Sequence, residues 1–229
     1  MPGSGEALQF GPDGAELHAA ALSEDETRRI EPALAGLSAA AGHRLARLDD
    51  IADLLTATGP IGRIAAAHIG ATARPVRAIL FDKSAGANWS LALHQDRTIA
   101  VRARNDFPGF GPWTVKAGIP HVEPPHEFTA RMATLRVHLD DVDESNAPLL
   151  ILPGSHRLGR LTTGPLDDLA GHHEPVACHA RRGDIWAYAT AIIHGSDSSR
   201  DPARSRRVLQ LDYSPDELPG GLNWHFVSG

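Results

Sequence analysis

The chain has 229 residues, 42% of them apolar and 22% charged, with a net charge of −6. That length buries a core without help from disulfides, the composition excludes wholesale disorder, and the acidic balance argues against nucleic acid, whose phosphates demand a basic face. Cys178 is the single cysteine, so an internal disulfide is excluded, and no apolar run approaches membrane-spanning length.

In chain order, Met1–Glu6 carries no basic stretch followed by an apolar run, which predicts a cytoplasmic protein rather than a secreted one. Ser23-Glu24-Asp25-Glu26 reads as a capping box opening a helix to about Ala35, with Ile30, Ala33 and Leu34 at helical spacing. Asp49 or Asp50 can cap a second helix holding Ile51, Leu54 and Leu55, closed by Gly59-Pro60; a short third helix is expected from Pro60 to His68. From Arg74 onward the pattern turns to short β-type runs between Gly, Pro, Asn and Asp. They are Val76–Phe81, Trp89–His94, Thr98–Arg102, Arg131–Leu139, Leu149–Leu152, Val176–His179, Asp184–Ala189 and Arg207–Tyr213. Helices followed by many short strands predict a sandwich or barrel with the helices packed outside, in one domain spanning 1–229. Asn105–Glu127 is too long for a simple hairpin connection and reads as a lid or binding loop.

Two strands alternate informatively. In Arg131–Leu139, Ala133, Leu135, Val137 and Leu139 share one face, with Thr134, Arg136 and His138 on the other. In 206–213, Leu209, Leu211 and Tyr213 oppose Arg206, Val208 and Gln210. The polar faces point either to water or into a barrel interior that holds a site.

Thirteen histidines are the unusual feature of the composition, and histidine is the commonest metal ligand. His94-Gln95-Asp96 ends an apolar run, and in an extended chain His94 and Asp96 share a face. About a hundred residues on, His194 ends Ile192-Ile193. Two histidines and a carboxylate on one side of a metal leave positions open, as in non-haem Fe(II) oxygenases. An isolated His-x-Asp is common by chance; its neighbours are more specific. WSLALHQD (89–96), Asn146-Ala147-Pro148-Leu149, Leu152-Pro153-Gly154-Ser155-His156-Arg157, Gly183-Asp184, His194-Gly195-Ser196 and Arg206-Arg207-Val208-Leu209-Gln210 follow in order. This set resembles the phytanoyl-CoA dioxygenase family of Fe(II)/2-oxoglutarate oxygenases from roughly Ile79 to Tyr213.

The resemblance implies a mainly β fold with N-terminal helices and a double-stranded β-helix (jelly-roll, cupin-like) core, 1–73 being largely helical support and 74–215 the core. It implies Fe(II) and 2-oxoglutarate as cofactors, with His94, Asp96 and His194 as catalytic metal ligands. Arg206 or Arg207 would bind the far carboxylate of 2-oxoglutarate. The family pattern favours Arg206, and parity agrees, because Arg207 shares its face with Leu209, Leu211 and Tyr213. Ser196 matches a hydroxyl that assists at that carboxylate, and Gln95 a position beside the cosubstrate. Two departures stand out: Arg136 replaces a common tryptophan, and Ala147 replaces a turn glycine, a change expected to be harmless. Arg136 is either a sign of an acidic group in the substrate, a second anchor for 2-oxoglutarate, or a solvent-facing side chain.

The expected activity is hydroxylation of an unactivated C–H bond of a small molecule by O2, yielding succinate and CO2; the alternative is a cupin-like divalent-metal isomerase or hydrolase. The prolines between His121 and His126 make that pair a loop over the site mouth rather than a second metal site. His156 reads as turn chemistry, His172-His173 as a solvated loop, and Cys178 as a small core residue.

Overall fold

The computed structural model describes residues 7–34, 36, 42–84, 87–161, 174–201 and 203–226; His172-His173 lie outside them. The N-terminal part holds helix α1 (Phe10–Asp13), strand β1 (Ala15–His18), helix α2 (Glu24–Ala33), strand β2 (His43–Leu45), helix α3 (Ala52–Leu55) and helix α4 (Gly62–Ile69). The capping box forms: Glu26 N–H donates to Ser23 Oγ at 3.2 Å and Ser23 N–H to the Glu26 carboxylate at 2.8 Å. The second helix is shorter than expected. Asp49–Ile51 is a 3₁₀ turn uncapped by either aspartate, and α3 stops at Leu55 rather than at Gly59-Pro60. Thr56 closes it, its hydroxyl donating to Asp53 O at 3.2 Å and accepting from Gly59 N–H at 3.1 Å.

Strands β3 (Arg74–Lys83), β4 (Leu91–Gln95), β5 (Ile99–Ala100), β6 (Trp113–Lys116) and β7 (Ile119–Val122) follow. After helix α5 (His126–Ala130) come β8 (Ala133–His138), β9 (Leu149–Ile151), β10 (Val176–Cys178), β11 (Ile185–Ala189), β12 (Ile193–Ser196) and β13 (Arg206–Ser214). They form a six-stranded sheet β1-β11-β8-β13-β3-β2, a four-stranded sheet β10-β9-β12-β4 and a three-stranded sheet β5-β7-β6, all antiparallel. The first two enclose a cavity between them, the jelly-roll arrangement that the sequence implies.

The alternation along β8 and β13 decides which face goes where. Leu135, Val137, Leu209, Leu211 and Tyr213 pack with Ile30, Leu54, Leu55 and Ile64 of the helices into one buried cluster. Arg136, Arg206 and Gln210, on the opposite face, line the cavity. An apolar face against helices is stabilised by about 25 cal/mol per Å² of area removed from water, so register cannot slip without exposing it.

The expectation for 105–127 is corrected, and the helical segment 1–73 also supplies two short strands, β1 and β2, which occupy the two edges of the six-stranded sheet. They are four and three residues long, too short for alternation to show. Within 105–127 the chain does form a hairpin, β6-β7, paired to β5. Its turn is Ala117-Gly118, both with positive φ (51° and 78°), the mirror-image turn that suits strand twist but that Asn-Gly usually signals.

Candidate metal centre

β4 lies at the edge of the four-stranded sheet beside β12, and the pairing register sets His94 directly opposite His194. Their rings stand 4.4 Å apart between centroids. Asp96 follows β4 by one residue and turns its Oδ1 to within 3.9 Å of His94 Nε2. One donor atom from each of the three lies within 4.8 Å of the others. Gly195 permits the close pairing, since a Cβ there would meet Leu91 O at 2.8 Å.

The imidazoles are held in one tautomer. His94 Nδ1 is 2.9 Å from Ala92 O and His194 Nδ1 is 3.0 Å from Ile192 O. A carbonyl only accepts, so Nδ1 carries the proton and Nε2 keeps its lone pair for a metal, the orientation that outer hydrogen bonds give metal-bound histidines. Burial lowers the His194 pKa to about 4, against an opposing pull from Asp96. Burial works to raise Asp96, but the Arg77 guanidinium and then the two imidazoles outweigh it and hold the carboxyl well below the usual range. The set is two neutral nitrogens and one carboxylate oxygen, the donors that suit non-haem Fe(II) with positions left open.

Arg77, on β3, orients that carboxylate. Its Nη2 donates to Asp96 Oδ2 at 2.9 Å, and its Nε pairs with Asp212 Oδ2 at 2.5 Å. Asp212 Oδ1 in turn accepts from Thr134 at 3.2 Å and Gln210 at 3.3 Å. Sequence reasoning missed Arg77. Arg77→Met leaves the buried Asp212 and the half-buried Asp96 without their cation, and the expected loss of folding stability is about 3–5 kcal/mol, read from denaturant unfolding. A change under 1 kcal/mol would show that Arg77 does not bridge them.

The cavity has a volume of about 360 Å³, and among the described residues its lining includes the cations Arg44, Arg77, Lys83, Lys116, Arg136 and Arg206 but one acid, Asp96. Arg206 is 2% exposed; its Nη1 donates to Ala147 O, and its Nε has no partner. Burial, then the nearby Arg136, lowers its pKa to about 9. Arg207 points the other way, pairing with Asp140 Oδ1 at 2.7 Å and Glu31 Oε1 at 3.1 Å, as parity requires. Ser196 lines the cavity and accepts from Lys83 Nζ at 2.7 Å. Lys83 also donates to Asp197 O at 2.5 Å and stands over the Trp89 ring. The sequence reading stopped its strand at Phe81, although Arg77, Ile79, Phe81 and Lys83 share one face.

Arg136 is not solvent-facing. It is buried, donates to Gln210 Oε1 at 3.1 Å, and leaves Nε without a partner. Gln95 is not brought to the cavity: its amide donates to Gly159 O and Ala191 O and accepts from Leu161 N–H. It lies between His94 and Asp96, so if those two face inward it faces out. His121 is buried in β7, His126 begins α5, and among the described residues neither joins a metal-ligating group.

The Ala147 substitution is not neutral to the backbone. Its φ is 53°, a left-handed conformation that costs an L-residue roughly 1–2 kcal/mol. After the larger unfolded-state entropy of glycine is subtracted, Ala147→Gly is expected to gain roughly 0.5–1 kcal/mol, measurable as a higher midpoint in urea. A lower midpoint would contradict it.

Residues 23–208 match the family model described as Phytanoyl-CoA dioxygenase (PhyH). No curated protein matches the chain. Among solved structures it is similar to AviO1 from Streptomyces viridochromogenes Tue57, at 18% identity and a TM-score of 0.63 over 92% of this chain and 94% of that one. HygX from Streptomyces hygroscopicus with nickel, 2-oxoglutarate and hygromycin B bound gives 14% identity, a TM-score of 0.61 and coverages of 90% and 84%. EctD from S. alaskensis with bound Fe gives 18%, 0.57, 90% and 74%. These likenesses show a common fold. No helix of the described residues is long and apolar enough to cross a membrane.

Proposed function

The chain belongs to the phytanoyl-CoA dioxygenase family and is a non-haem iron oxygenase dependent on 2-oxoglutarate; from that premise we propose that it hydroxylates an unactivated C–H bond of a small molecule bearing an acidic group. His94, Asp96 and His194 would hold the iron, and Arg206, Ser196 and Lys83 the far carboxylate of 2-oxoglutarate. Bound together, the metal and cosubstrate supply the oxidation that inserts one oxygen atom of O2 into the substrate while 2-oxoglutarate becomes succinate and CO2. The likeness to HygX and EctD, whose structures hold nickel or iron and 2-oxoglutarate, supports the assignment. Residues 1–229 would act as one cytoplasmic unit.

The observation that carries this reading is the surplus of buried cations beside the three candidate ligands. Among the described residues, Arg206 and Arg136 each keep a buried, unpartnered Nε, and Arg206 has no carboxylate partner. Burying such charges is costly unless an anion completes them. A fork of guanidinium donors fits a carboxylate bidentately. An isomerase or hydrolase on the same metal leaves that cationic floor without a task. What the protein contributes is placement: the tautomer-locked histidines, the Arg77-oriented carboxylate and the cationic floor all face one cavity.

Substrate charge follows from the other end of the cavity. The Arg44 side chain makes no hydrogen bond or ion pair among the described residues, its Nε being buried without a partner, and there the Lys116 ammonium meets only the Thr98 hydroxyl, at 3.1 Å. A second anion, on the substrate, would pair with them. The test supplies Fe(II), O2 and ¹⁴C-labelled 2-oxoglutarate with matched small carboxylates and their amides. Released CO2 that rises with a carboxylate and not with its amide supports the proposal; release with neither, or equally with both, refutes the substrate class.

Lys83 gives a pH signature. Burial first, then Arg206 and Arg136, lower its pKa to about 7. An arriving carboxylate raises that pKa again, so 2-oxoglutarate affinity is full below pH 7 and declines as pH rises above it. Calorimetry in the oxygen-inert Ni(II) form is expected to show this decline, and Lys83→Met to flatten it. An equal slope in that variant would assign the titration elsewhere.

A further inference from the structure

On the far side of the six-stranded sheet, away from the cavity, a second cluster has ligand geometry. Glu16 and His18 stand on one face of β1, beside Ala187 and Ile185 of β11, which belong to the helix-covered core. His68, near the end of α4, reaches across to them. His18 Nε2 and His68 Nε2 are 3.3 Å apart, and His68 Nε2 is 3.9 Å from Glu16 Oε2. One donor atom from each residue lies within 4.8 Å of the other two, the same compactness as at His94, Asp96 and His194.

We propose that Glu16, His18 and His68 form a second metal site, for a borderline divalent cation of the zinc type, which ties the N-terminal edge strand to α4. Two nitrogens on one tetrahedral zinc, each at about 2.0–2.1 Å, stand about 3.3–3.4 Å apart, which is the spacing of these two imidazoles. The two Nε2 atoms face one another, so both cannot carry protons, and at least one lone pair points into the gap. Two imidazoles and a single carboxylate select zinc-like ions over calcium or magnesium, which prefer all-oxygen cages. Phe10 stacks on the His68 ring at 4.0 Å and 11°, which fixes the plane of the ligand. Burial lowers the pKa of both histidines, with Glu16 opposing. Three protein ligands leave the fourth position to water. The competing arrangement is a plain N–H···N hydrogen bond between neutral rings.

Zinc binding separates the two, and a background lacking the first centre keeps the result independent of the oxygenase reading. Metal-free Asp96→Ala/His194→Ala protein is mixed with Zn2+, passed through gel filtration and analysed for metal. The proposal expects one zinc per chain and a zinc-dependent rise in Tm. Adding His68→Gln is expected to remove both, and adding Glu16→Gln, a partly exposed and conservative change, to weaken binding at least tenfold. Absence of zinc from the background protein, or one zinc retained after both His68→Gln and Glu16→Gln, overturns the site. Should His68→Gln fail to fold, the Glu16→Gln arm decides alone.

Discussion

Asp96→Ala is expected to lower Fe(II)-dependent succinate formation from 2-oxoglutarate by more than roughly 10²-fold, since loss of groups that merely orient ligands already costs about 10–100-fold. Asp96 is the one anionic donor beside two neutral nitrogens, so its removal takes away the charge that balances a divalent ion. It also strands Arg77, whose Nη2 donates to Asp96 Oδ2 at 2.9 Å. Iron content after anaerobic loading is the direct readout, with labelled CO2 as the second. Undiminished turnover, or a full complement of iron, would remove Asp96 from the metal.

Arg206→Gln is expected to weaken 2-oxoglutarate binding by roughly 10²-fold or more, in keeping with the about 2–5 kcal/mol lost when one partner of a buried charge pair is truncated. Arg206 is 2% exposed and its guanidinium is fixed through Ala147 O, so little ordering remains to be done when the carboxylate arrives. Arg206→Lys keeps the charge but not the fork and should recover only part of the affinity. Arg207→Gln is the control: that side chain is engaged with Asp140 and Glu31 on the outer face, and its loss should leave 2-oxoglutarate affinity unchanged. Titration of the Ni(II) protein measures all three. Equal losses for the two arginines would mean that parity does not set their roles.

Much of this was readable locally. The capping box at Ser23 needs four residues, and it forms as written. The alternation in β8 and β13 needs only that side chains switch sides at each step, so Leu135 and Leu209 went to the helices and Arg136 and Arg206 to the interior. The same rule could have found Lys83, had β3 been followed two residues past Phe81. The edge strands β1 and β2 left no such trace, being three or four residues whose pairing is decided by the neighbour they meet.

By itself the sequence determined the family, the residue types of the candidate ligand set and the inward parity of Arg206, because these reside in ordered motifs and in a period of two. It could not say that Arg77 would bridge Asp96 and Asp212, that Gln95 would turn outward to Gly159 and Ala191, or that Glu16, His18 and His68 would gather. Those arrangements join side chains from 19 residues apart, Arg77 and Asp96, to well over a hundred, Arg77 and Asp212. Such separations are closed only when sheet pairing and helix packing supply the free energy to overcome the chain entropy of bringing distant segments together.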